Sequence, residues 1–189
     1  LAFGNVAGGD EVRNPYYKGC IQGKDISLVK HSRDGTQDRI CVFEGFMDFL
    51  SYLTLKQTGN EEVCINAPCD YLVMNSVNNL KKALVRLQAY PIIHCYLDND
   101  LAGQKTTETI AGMYGLRVHD EAHRYREYKD LNDYLRGKNG KPILFTVLPQ
   151  KLSESGGLFF VSIPPQRARK TPQSMILKYD IDVFDKYCT

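Results

Sequence analysis

The sequence predicts an α/β domain: a mostly parallel central sheet flanked by helices, preceded by a small β-rich segment. Two observations carry this. Between Ile40 and Gly137, short apolar runs alternate with amphipathic runs of helical period. Gly59, Pro91, Gly115 and Gly137 punctuate that alternation where helices should stop. Strands separated by helical crossovers run parallel, with right-handed connections.

Each element has its own reason. Residues 1–36 read as short strands and turns, with turn signals at Gly8-Gly9 and Asp34-Gly35. "ICVFEG" from Ile40 is a compact apolar run suited to a buried strand. "FMDFLSYLTLKQ" places Phe46, Phe49, Leu50 and Leu53 on one helical face. "VCINAP" reads as a second strand. "SVNNLKKALVRLQAY" reads as a helix with Val77, Leu80, Leu84 and Leu87 inward and Lys81, Lys82 and Arg86 outward. "IIHCYLD" is the third strand, "LAGQKTTETIAGMYG" a helix, "LRVHDEA" a fourth strand and "KDLNDYLRG" a short helix. The expected division is a β-rich, basic segment at 1–37, a core at 38–142 and an extension at 143–189. The extension carries apolar runs broken by prolines.

Composition narrows the class. The chain has 189 residues, 43% hydrophobic and 24% charged, ordinary values for a globular domain with a real core. No apolar run reaches the roughly 18–20 residues of a membrane span, and the first residues do not form a signal peptide. Residue 1 is Leu, as expected of a processed product or a piece of a longer chain. Six cysteines include no C-x-x-C pair, and Cys41, Cys64 and Cys95 fall in apolar runs. That pattern suits a reduced, cytoplasmic protein without disulfides. His119 and His123 have helical zinc-ligand spacing but lack an obvious third ligand.

Net charge is +2, too small to argue for nucleic acid. Its distribution is more informative. Arg13, Lys18, Lys24, Lys30 and Arg33 cluster around a single acid, Asp25, with Tyr16 and Tyr17 among them. Such a segment can grip phosphates and stack bases, or be a solvated face.

The acidic residues point to chemistry. "IIHCYLDND" ends an apolar strand in two carboxylates. Residues i and i+2 of an extended chain share a side, so Asp98 and Asp100 can aim at one point while Asn99 aims away. Like charges that close repel unless a cation lies between them or one is protonated. Oxygen-only donors favour Mg²⁺ or Mn²⁺. Glu44 ends the first core strand, and adjacency of the two strands would bring it to the same site. Gly45 then admits close approach by a phosphate or backbone. Asp48 would look back toward the cleft, and Asp130 and Asp133 could supply a further acidic edge. Taken singly, these acids are equally well solvated strand ends and helix caps. Their joint position at strand ends of one α/β unit favours a site. Ala102 speaks against a D-x-D-x-[TV] phosphatase.

"VFEGFMDFLSYL", "YLDNDLAGQKTT" and "KDLNDYL" together resemble the TOPRIM domain of bacterial-type primases, topoisomerases of types IA and II, and some nucleases. The resemblance covers about residues 38–137, and E-G-F-M-D is closest to the primase version. "NPYYKGCIQGKDISLV" resembles the lead-in segment of primases from bacterial mobile elements. The resemblance implies that Glu44, Asp98 and Asp100 bind catalytic Mg²⁺ (or Mn²⁺), with Asp48 and Asp130 lining the same cluster. One acidic position of the family falls on Asn132. It further implies RNA primer synthesis on single-stranded DNA from nucleoside triphosphates. The template would be held by Arg13, Tyr16, Lys18, Lys24 and Lys30. Implied partners are a replicative helicase or an upstream zinc-binding module. The alternatives are a metal-dependent nuclease and a non-catalytic DNA-binding module.

Overall fold

The computed structural model describes residues 1–32, 35 and 37–137. The extension expected at 143–189, Arg33 and the Asp34 turn position lie outside the described residues. Three short strands, β1 (Ala2–Gly4), β2 (Asp10–Arg13) and β3 (Lys18–Ile21), form an antiparallel sheet in that order. A five-stranded sheet follows, made of β4 (Ser27–Val29), β5 (Arg39–Phe43), β6 (Asp70–Val73), β7 (Ile92–Tyr96) and β8 (Val118–Asp120). Its order is β4-β6-β5-β7-β8; only β4 runs antiparallel. The helices are α1 (Phe46–Gln57), α2 (Leu80–Leu87), α3 (Leu101–Tyr114) and α4 (Leu131–Leu135). None of the described helices is long and apolar enough to cross a membrane.

Period-two alternation on β5 sorts the core into two layers. Cys41 and Phe43 join α1, α4 and an aromatic cluster of Phe49, Tyr52, Tyr71 and Tyr96. Ile40 and Val42 face the other way, onto Ala83 and Leu87 of α2, Ile93 and Cys95 of β7, and Ile110 of α3. A strand buried on both faces needs a continuous apolar run, as "ICVF" supplies. The small sheet docks through Phe3, which stacks on Phe46 at 5.7 Å and meets Phe49 at 5.6 Å.

Two expectations need correction. "VCINAP" is not a strand: it spans turns after α1. Val63 N–H bonds to the Asn60 side chain at 3.1 Å, and Tyr96 O–H donates to the Val63 carbonyl at 3.0 Å. Val63 and Cys64 thus plug the core from an irregular segment, and the strand forms just beyond, at "DYLV", where all four residues are buried. On α1 the buried set is Phe46, Phe49, Ser51, Tyr52 and Leu55, with Leu50 and Leu53 only partly buried. The reason is that α4 packs along the flank of α1, so α1 is covered from more than one direction.

Parallel register decides what meets at the sheet's carboxyl edge. Phe43 pairs with Tyr96, so Glu44 and Asp98 emerge from neighbouring strands. Asp70 lies at the opposite end, level with Ile40. It is fully buried and accepts from Lys30 Nζ at 2.8 Å, Tyr90 O–H at 2.8 Å and His31 N–H at 2.9 Å. That network ties β4 to the amino end of the sheet, away from the carboxylates.

Candidate metal centre

The acidic edge is assembled from three turns. β5 passes through Glu44 and Gly45 into α1, whose first-turn acid is Asp48; a carboxylate is favoured there by the helix N-terminus. β7 passes through Asp98, Asn99 and Asp100 into α3. After β8, a 3-10 turn over Ala122–Tyr125 leads to Lys129 and Asp130, which opens α4.

One carboxylate oxygen each from Asp48, Asp98 and Asp130 lie within 4.8 Å of one another, and all three residues are partly buried. The group closes without Glu44 and Asp100. Asp100 commits Oδ1 to the N-terminus of α3, accepting from Ala102 and Gly103 N–H at 3.0 Å each. Asp130 similarly accepts from Asp133 N–H at 2.7 Å. Glu44 stands beside the group: burial, then the charges of Asp98 and Asp100, push its carboxyl up to about 7. The Lys129 and Lys18 ammoniums oppose that rise. Asp48 is also pushed up to about 7, by burial and then by Asp130 and Asp98. Asp98 is raised by burial, with Lys129 pulling the other way.

This donor set fits a divalent cation. The three oxygens come without any His or Cys, which suits a hard ion such as Mg²⁺ or Mn²⁺. Glu44 Oε2 is buried with no hydrogen-bond partner among the described residues, an orphaned acceptor that a cation can satisfy.

Hydrogen bonds of Asn99, Glu121 and Asn132 hold the carboxylates in place. Asn99 lies between Asp98 and Asp100, and its side chain reaches the segment that follows β8. Its Nδ2 donates to the carbonyls of Ala122, Tyr125 and Tyr128 at 3.4, 3.1 and 2.9 Å. Its N–H donates to the Lys129 carbonyl at 2.7 Å. One side chain between two aspartates therefore fastens the segment that delivers Asp130. Glu121 anchors the same segment through His94 Nδ1 at 2.7 Å and Arg124 Nε. Burial opposes its ionisation, but these two partners prevail and hold it down to about 2. Asn132 N–H donates to Asp48 Oδ1 at 3.3 Å, and its Nδ2 to Ser51 Oγ at 3.1 Å. A neutral amide joins α4 to α1 there without adding another negative charge beside Asp48.

Gly103 explains why α3 must begin with a glycine in its first turn. A Cβ built there would lie 2.1 Å from the Asp98 carbonyl oxygen and 2.9 Å from its backbone N and C. The helix rests directly on the backbone of a cluster residue.

The basic residues separate into different places. Lys18, at the start of β3, pairs in register with Arg13, and its charge is felt at Glu44. Tyr16 at the hairpin tip is 96% exposed. Lys24 is exposed, and its carbonyl accepts from Lys82 Nζ at 3.4 Å. Lys30 is not brought to the acidic edge: its ammonium is bound to Asp70 and Tyr90 at the other end of the sheet.

Gly103→Ala is expected to force the first turn of α3 away from Asp98, lowering stability by about 1–3 kcal/mol and weakening Mn²⁺ binding together. Urea unfolding and isothermal titration check this; wild-type values in both would refute the close packing. A second expectation concerns pH. Glu44 and Asp48 bind protons more readily folded than unfolded, so without metal they cost stability progressively as pH rises from their ordinary values of 4.5 and 3.8 through about 7. Between pH 5.5 and 8, Asp48→Asn should unfold with a flatter melting-temperature profile than wild type in metal-free buffer. Parallel profiles would show that Asp48 is not held protonated by its surroundings.

A search of curated proteins finds no match to this chain. Among solved structures it is similar to the crystal structure of the primase fragment of the bacteriophage T7 primase-helicase protein, at 19% identity and a TM-score of 0.48. The alignment covers 73% of this chain and 57% of that one. The Toprim-like family model matches residues 41–135, about half of the 189 residues, from β5 to the end of α4. This stretch contains every residue of the acidic edge, and the chain belongs to the Toprim-like family.

Proposed function

We propose that this domain is the Mg²⁺-dependent nucleotidyltransferase core of a DNA primase, making RNA primers on single-stranded DNA. The observation that carries the proposal is the convergence of Asp48, Asp98 and Asp130 within 4.8 Å, from three separate segments that follow β5, β7 and β8. Asp48, Asp98 and Asp130 would hold the metal. When bound, a divalent cation supplies charge neutralisation for the phosphates and a more acidic attacking hydroxyl.

The other tasks fall to the chain itself. Glu44, pushed up to about 7 by burial and then by its acidic neighbours, is poised to take up or release a proton near neutral pH. Asp100 keeps α3 in register with the cluster by capping it. Asn99 fixes the segment that carries Lys129 and Asp130. On the hairpin, Lys18 and Arg13 would neutralise template phosphates, and the exposed Tyr16 ring offers a stacking surface. Lys24 would extend that basic surface. Lys30, committed to Asp70, is left out of this role.

The test incubates the chain with single-stranded DNA, Mg²⁺ and the four ribonucleotides, beside the variant Asp98→Asn/Asp100→Asn. Asn can still cap α3, so the variant should fold. Short RNA products from wild type and none from the variant are expected. DNA fragments in place of RNA would make the protein a nuclease built on the same cluster. Tight single-strand binding, no turnover and no effect of the substitutions would leave a binding module only.

A further inference from the structure

Lys129 has no place in the chemistry so far, yet it lies against the cluster. Its Nζ is 3.3 Å from Asp98 Oδ2. Asp98 is largely buried, with 13% of its side chain exposed, whereas 59% of the Lys129 side chain is exposed. The backbone of Lys129 is pinned, because its carbonyl accepts from Asn99 N–H at 2.7 Å. The next residue is Asp130, a member of the carboxylate group. A long flexible stem therefore carries one positive charge from a fixed anchor onto the carboxylate where a divalent ion would bind.

Two cations cannot share that oxygen closely without repulsion. Lysine resolves the conflict readily: its stem is flexible, and its ammonium is well hydrated once released. We propose that Lys129 is a tethered counter-ion that competes with the divalent metal for Asp98, so that metal binding and Lys129 release are one linked step. This rests on the metal-holding role of Asp48, Asp98 and Asp130. In the absence of metal, the ammonium offsets part of the repulsion within the cluster. With metal bound, it becomes a mobile positive charge anchored at the mouth of the site, where a phosphate group would meet it.

The geometry makes the sign of the effect unusual. Substitutions near a metal site generally weaken binding; removal of Lys129 should tighten it. An ion pair whose lysine end is open to solvent is weak enough to yield and strong enough to register, which sets the expected gain at about two- to fivefold. Lys18 supplies a control, since its charge reaches Glu44 but no ion pair joins it to Asp98 among the described contacts.

The experiment is Mn²⁺ titration of the full chain, followed by electron paramagnetic resonance and by calorimetry, for wild type, Lys129→Ala, Lys129→Arg, Lys18→Ala and Asp98→Asn. Lys129→Ala should bind Mn²⁺ about two- to fivefold more tightly, Lys129→Arg close to wild type, and Lys18→Ala with a smaller gain than Lys129→Ala. Unchanged or weaker binding by Lys129→Ala, while Asp98→Asn abolishes binding, would overturn the competition and leave the metal site standing. A gain in Lys18→Ala equal to that in Lys129→Ala would also overturn it, leaving only a general charge effect. If wild type binds no Mn²⁺, or Asp98→Asn binds as well as wild type, the metal-holding role itself fails and takes this inference with it.

Discussion

Three carboxylates held within 4.8 Å, near a buried Glu44 oxygen that has no hydrogen-bond partner among the described residues, are a collection of like charges that water alone does not neutralise. Burial removes the solvent that would screen them and, with the neighbouring charges, makes Asp48 and Asp98 harder to ionise. The structure meets this in two visible ways. Glu44 and Asp48 are pushed toward their neutral forms, and the Lys129 ammonium sits on Asp98. A divalent cation is a third way, and it relieves all of them together. The rest of the molecule makes sense as the apparatus that keeps those charges close.

That apparatus is the parallel sheet and what is fastened to it. β5 and β7 are neighbours, so their carboxyl ends deliver Glu44 and Asp98 side by side. The two apolar layers lock both strands, through Phe43 and Tyr96 on one face and Val42 and Cys95 on the other. Loops would let the remaining carboxylates drift, but here they are anchored. Asn99 binds three carbonyls of the 122–128 segment, Glu121 ties that segment to β7, and Asn132 joins α4 to Asp48. Gly103 lets α3 rest on the Asp98 backbone. Polar networks of this kind give a fixed geometry in exchange for the cost of burying them.

Much of this was legible in the amino-acid order. The alternation of apolar runs and helical periods gives most of the sheet and its crossovers, because β5 and β7 are buried on both faces and carry near-continuous hydrophobic residues. Gly115 and Gly137, both at positive φ, mark helix ends as expected. The candidate acids were visible as polar residues breaking apolar runs. Their grouping was not. Strand position brings Glu44 and Asp98 together, but only the return of the chain through Asn99's bonds places Asp130 with Asp48 and Asp98. Asp100 resembles its neighbour in sequence, yet its Oδ1 is taken up in capping α3. Lys30 looks like its basic neighbours until Asp70, 40 positions away, is seen to hold it. "VCINAP" has the composition of a strand and the fate of a plug, because a sheet needs a partner edge as well as apolar residues.

The central claim is that a divalent ion binds between Asp48, Asp98 and Asp130, and anomalous diffraction from a crystal of this chain soaked in Mn²⁺ tests it most directly. The account predicts a manganese peak in contact with oxygens of all three aspartates, with the Lys129 ammonium moved off Asp98. Crystals with no peak at the ends of β5 and β7, or with manganese bound only at isolated surface carboxylates, would contradict it.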